Sequence, residues 1–85
     1  MELIMLTDSG NYTMSIYNAL MEKGYKFEII TTPAQLSKGN CGYALKFSEE
    51  FKENVLKTGK EKGIPIKGIY RMETRKGMPA YVKLH

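Results

Sequence analysis

Short apolar runs separated by turn-forming residues divide this chain into five or six elements, and their periods separate strands from helices. Glu2 to Leu6 is a continuous apolar run closed by Thr7-Asp8-Ser9-Gly10, the pattern of a buried strand entering a loop. From about Asn11 to Lys23, Tyr12, Ile16, Ala19, Leu20 and Lys23 recur at helical spacing. Asn11 or Ser9 can cap that helix, and Gly24 stops it as a glycine just past a helix end does. Lys26 to Ile30 then alternates, with Phe27 and Ile29 on one face and Glu28 on the other. Thr31-Thr32-Pro33 breaks the strand, and Ala34-Gln35-Leu36-Ser37 leaves room for a single helical turn at most.

Cys41 to Phe47 predicts a third strand, with Tyr43, Leu45 and Phe47 pointing one way and Gly42, Ala44 and Lys46 the other. Ser48 is placed to cap a second helix whose first turn holds Glu49 and Glu50, where the dipole favours acids. Phe51, Val55 and Leu56 form its buried stripe, and Lys57, Lys60 and Lys62 lead to Gly63. Ile64-Pro65 cannot continue a helix. Lys67 to Arg71 reads as the last strand. The expected organisation is one domain over 1–72 and a basic C-terminal tail over 73–85, with Tyr81 to Leu84 extended. The order β-α-β-β-α-β predicts an α+β ferredoxin-like plait, a four-stranded antiparallel sheet with both helices on one face. Fold alone does not assign function.

Composition narrows the classes. A chain of 85 residues with 42% hydrophobic residues suits one small globular domain. No apolar run is long enough to span a bilayer, and the opening Met1-Glu2-Leu3-Ile4-Met5-Leu6 is too short and acidic for an export signal. One cysteine forms no internal disulfide, so a reducing cytoplasm is the expected compartment. The net charge of +4 is uneven, with Lys57, Lys60, Lys62, Lys67, Arg71, Arg75, Lys76 and Lys83 gathered in the last third. Such a basic end attracts phosphate, an acidic partner or a thiolate, or it simply keeps a small protein in solution.

Cys41 is the one residue that suggests chemistry. It sits between Asn40 and Gly42, after the polar stretch Ser37-Lys38-Gly39-Asn40, whereas a packing cysteine is normally set among apolar side chains. A nest of backbone N–H groups or nearby cations would lower its pKa. With no second cysteine, dithiol exchange within the chain is ruled out. A single-thiol role remains, either carrying a persulfide-type group or forming a mixed disulfide. The alternative is a small core filler at the start of a strand. His85 is the single histidine, and the acids lack ligand spacing, so no catalytic triad or metal set is expected. No cofactor is expected either. Thr7-Asp8-Ser9-Gly10 could hold an anion at a helix start but lacks phosphate-loop spacing.

Thr32-Pro33, then Cys41-Gly42-Tyr43-Ala44-Leu45-Lys46-Phe47, then Gly68-Ile69-Tyr70 resemble the pattern of the selenium/sulfur carrier protein-like family of small bacterial and archaeal proteins. The resemblance covers roughly residues 3–72, and its most specific part is the Cys-Gly strand. Asn40 stands where that family usually has serine, and the first helix lacks the Glu/His-rich face expected there. The resemblance implies chalcogen handling, with Cys41 as attachment point, Asn40, Gly42, Thr32 and Arg71 as binding residues, and a sulfur or selenium donor or acceptor protein as partner. It implies a carrier more than a stand-alone enzyme. The rival is a regulatory or protein-interaction plait that pairs through its sheet into a homo-oligomer. RNA binding is disfavoured. Gly42 to Phe47 is one residue short of an RNA-recognition strand, which turns Tyr43 toward the core and leaves no stacking platform on the open face.

Overall fold

A computed structural model describes residues 2–37 and 42–84. Its elements in chain order are β1 (Glu2–Thr7), α1 (Gly10–Glu22), β2 (Glu28–Thr31), α2 (Ala34–Ser37), β3 (Tyr43–Ser48), α3 (Lys52–Lys62), β4 (Ile66–Arg75) and β5 (Met78–Lys83). A 3₁₀ turn, Glu49–Phe51, precedes α3. The strands form one antiparallel sheet in the order β2-β3-β1-β4-β5. The expected four-stranded sheet with two helices is therefore corrected to five strands and three helices.

The central strand β1 explains the layering. Leu3 and Met5 face the long helices and join Ile16, Leu20, Phe27, Leu45, Phe47, Val55 and Ile69 in the main core. Ile4 and Leu6 point to the other side, where they bury with Ala44. A strand covered on both faces reads as an unbroken apolar run, as β1 does. The far face is closed by Leu36 from α2 and by Tyr70, Met72 and Tyr81 from the C-terminal hairpin. Ile4 and Ala44 are both 0% exposed, so that face is a second small core and not the open surface expected of the sheet.

The fifth strand comes from the segment expected as a tail. Lys76 and Gly77, both with positive φ (52° and 77°), make a two-residue turn that folds β5 back on β4, with Arg75 opposite Met78. Turns with both central residues at positive φ match the natural twist of a hairpin. Pro79 lacks an N–H, which blunts the exposed strand, and its carbonyl accepts from Gln35 Nε2 at 3.3 Å. Lysine at 76 was an unobvious turn residue, because side chains other than Gly, Asn and Asp seldom take positive φ.

Helix ends follow the expected chemistry in part. Ser9 caps α1, its Oγ accepting from the Tyr12 N–H at 3.2 Å. At the other end Gly24 (φ 87°) donates to the Met21 carbonyl and Tyr25 to that of Leu20, a Schellman closure. Ser48 makes no side-chain cap bond. It is still paired with Glu2 in the sheet, and Phe51 is drawn in against Tyr25 and Phe27 at ring separations of 5.2 and 5.4 Å. The chain therefore tightens into a 3₁₀ turn before α3 begins.

Candidate functional site at the entry to β3

Three connections meet where β1 ends. Thr7 Oγ donates to the Ser9 carbonyl at 2.6 Å, shaping the loop into α1. Thr13, on the buried side of that helix, donates its hydroxyl to the Tyr43 carbonyl at 3.2 Å. The carbonyl of Gly42 accepts twice from Thr32, from the N–H and from Oγ, each at 3.1 Å. Thus α1, the end of β2 and the first residues of β3 are tied to one another by polar bonds.

Beside these bonds lies a small, half-open cavity of about 30 Å³ lined by Thr7, Asp8, Ser9, Gly10, Thr32, Leu36, Gly42, Tyr43 and Lys67. Such a space admits roughly one or two waters, or a single heavy atom on the end of a side chain. It is too small for an organic cofactor. A Cβ added at Gly42 would lie 3.9 Å from the Gly10 amide nitrogen, an ordinary contact. Glycine at 42 therefore keeps the passage beside the first turn of α1 open and does not avert a collision. A Cβ at Gly10, by contrast, would press on the Tyr43 ring at 3.2 Å.

Electrostatically the site is mixed. The first turn of α1 presents the positive end of its dipole and contains no acid, while Asp8 lies just before the cap and Lys67 on the rim. Lys67 was legible only as one of many basic residues, because nothing local marks which lysine the β1–β4 bulge at Leu6/Thr7 will bring to this corner.

Of the residues expected at the site, Thr32 and Gly42 are brought together here. Cys41 and Asn40 lie outside the described residues. Arg71 is elsewhere: it pairs across the sheet with Leu3, toward the opposite end of β1. Its guanidinium is bound to Glu73, at 2.8 Å through Nε and 2.6 Å through its terminal nitrogen. Tyr43 was expected on the core side with Leu45 and Phe47. It points that way but remains 53% exposed, because the first turn of α1 at Gly10 lies beneath its ring. A larger open groove at the other end of the sheet is lined by Glu2, Lys26, Phe27, Glu28, Lys46 and Ser48. Lys46 there bridges both Glu2 and Glu28, at 3.8 and 3.6 Å.

The chain is thus an α+β domain with one antiparallel sheet and a small polar-edged cavity beside Gly42. It belongs to the family described as "Putative Se/S carrier protein-like", which matches residues 2–71 and so spans β1 through the middle of β4. Neither the curated proteins nor the solved structures compared with it returned a match. Among the described residues, no helix is long and apolar enough to cross a membrane.

Proposed function

We propose that this protein carries a sulfur or selenium atom on Cys41, the residue that precedes Gly42 in the chain. We read its first four strands as a ferredoxin-like plait serving as the scaffold. The observation that carries the reading is the pinning of Gly42. Cys41 is bonded to a residue whose carbonyl is fixed by two Thr32 donors and whose Cα faces the first amide of α1. Family membership over residues 2–71 supports the same role.

The chemistry needs a thiolate and space for one extra atom. The Cys41 thiolate attacks the outer sulfur of a donor persulfide, R–S–SH. A new S–S bond forms, the donor's S–S bond breaks, and R–S⁻ leaves with the electron pair. The hydrogen stays on the transferred sulfur, and Cys41 becomes the persulfide. An acceptor thiolate reverses the step. A seleno-analogue follows the same balance. Helix N–H groups and Lys67 would favour the anionic forms, whereas Asp8 opposes them.

Mass spectrometry after incubation with a low-molecular-weight persulfide tests this directly. The expected product is one chalcogen atom per chain, lost on reduction and missing from the Cys41→Ser variant. An unmodified chain under conditions that load a reference thiol, with Cys41 alkylating no faster than free cysteine at neutral pH, would overturn the carrier reading. The competing reading, a protein-interaction module, draws on one observation, the nearly uncharged outer side of α1.

A further inference from the structure

The C-terminal hairpin and the cavity beside Gly42 share one wall, the single turn α2. Leu36 of that turn and Leu6 of β1 both line the cavity. The same two residues belong to the second small core, where Leu36, Tyr70, Met72 and Tyr81 pack on Ile4, Leu6 and Ala44. The cavity is thus the open end of the apolar layer that the hairpin covers. At the surface the contact is direct, because Gln35 Nε2 donates to the Pro79 carbonyl at 3.3 Å across 44 positions of the chain.

The register of β5 explains that bond. Arg75 and Met78 flank the two-residue turn as a hydrogen-bonded pair, so the next pair, Thr74 and Pro79, exchanges no ladder bonds and the Pro79 carbonyl points away from β4. α2 therefore sits against the outer edge of β5, although it follows β2 at the opposite margin of the sheet. In a flat sheet those two strands would stand roughly 19 Å apart, four spacings of about 4.8 Å. Coiling of the sheet narrows the gap, and α2 bridges what remains. On its other side α2 continues directly into the site. The Leu36 N–H donates to the Pro33 carbonyl at 2.9 Å, and Pro33 follows Thr32, which holds Gly42 by two bonds.

We propose that the hairpin is the clamp of this site. Through Gln35 and the layer beneath Tyr81 it holds α2 in place, and α2 keeps Leu36 in the cavity wall and Thr32 on Gly42. Gln35 and Tyr81 are positioning residues in this scheme. Met72 and all of β5 lie beyond the family-matched span 2–71. The bearing of the clamp on Cys41 rests on the carrier reading, whereas its hold on Thr32 does not.

Amide hydrogen exchange followed by NMR tests the clamp in the full chain. Gln35→Glu keeps the side-chain length but offers a carboxylate that cannot donate to Pro79, and Gln35 is exposed, so folding is not at stake. Tyr81→Ala uncovers the apolar layer. Either variant should speed exchange of the Thr32 and Leu36 amides roughly three-fold or more, while the Leu20 amide in α1 keeps its wild-type rate. Gln35→Lys, which restores a donor, should return both amides to wild-type protection. In the two loosened variants the rate of Cys41 alkylation by a bulky maleimide should rise relative to that by iodoacetamide. Thr32 and Leu36 amides indifferent to both substitutions, or a rise shared equally by Leu20, would overturn the clamp. Selective loosening of Thr32 in a chain that takes no persulfide on Cys41 would uphold the clamp and remove the carrier reading.

Discussion

Thr13 and Tyr43 stand thirty positions apart in the chain, yet the Thr13 hydroxyl donates to the Tyr43 carbonyl from a fully buried position. Thr7 Oγ lies 2.9 Å from the same hydroxyl and also donates to Ser9. Two hydroxyl protons thus serve three close oxygen contacts. This network is what fixes the start of α1 against the start of β3.

Removing the hydroxyl while keeping the shape tests its weight. Thr13→Val should destabilise the fold by about 1–2 kcal/mol, since the Tyr43 carbonyl and Thr7 lose a buried partner. Urea denaturation measures the loss, with the m-value unchanged if the folded state stays intact.

Thr58 offers the opposite sign. It is 2% exposed on α3, and its hydroxyl has no hydrogen-bond partner among the described residues. An unpaired buried hydroxyl costs desolvation without return. Thr58→Val should therefore stabilise the protein by about 0.5–1 kcal/mol, read as a higher denaturation midpoint. A midpoint that falls would show that the hydroxyl has a partner in solution.

Glu73 links stability to pH. Its carboxylate accepts from Arg71 and, at 3.1 Å, from Arg75, and these hydrogen bonds hold its pKa below the ordinary glutamate value. A depressed folded-state pKa contributes stability that is fully present above the unfolded value and disappears as pH falls through the folded one. Thermal melts of the wild type should thus lose stability through mildly to strongly acidic pH more steeply than those of Glu73→Gln. At neutral pH the variant should already lack that contribution. Because the group is solvent-accessible, the difference should be small and shrink with added salt.

Thr32 separates anchoring from folding. Thr32→Val keeps the backbone N–H bond to Gly42 but deletes the Oγ bond. The expected stability loss is about 1 kcal/mol. If the pinned turn sets the thiol environment, the pH profile of Cys41 alkylation should also shift, which a purely structural role would leave in place. Thr32→Ser, which retains the hydroxyl, should restore the wild-type profile.

Much of this architecture was legible from period and punctuation. β1 announced itself by an unbroken apolar run, α1 by its helical spacing and Gly24 stop, with Ser9 one of the two caps the sequence offered, and α2 as at most one turn after Pro33. The β4–β5 hairpin was missed because its turn is Lys76-Gly77, a pair lacking the usual Asn-Gly or Asp-Gly signal, and because Glu73, Arg75 and Lys76 make the second half of its first strand look like a charged tail. Glu73 pairs with both Arg71 and Arg75 along one face of β4, which no linear charge count reveals.

Local chemistry along the chain settled the first three strands and the two long helices, where those helices stop, and that a lone cysteine precedes a glycine. Packing between distant segments alone decided the rest. It brought Thr32, Gly42 and the start of α1 to one corner, held Arg71 at the far end with Glu73, and closed the second face of the sheet with Leu36, Tyr70 and Tyr81. The physical reason is range: caps, turns and periodicity act over a few residues, whereas a site assembled from β1, β2 and β3 depends on strand order and register, which only the buried core selects.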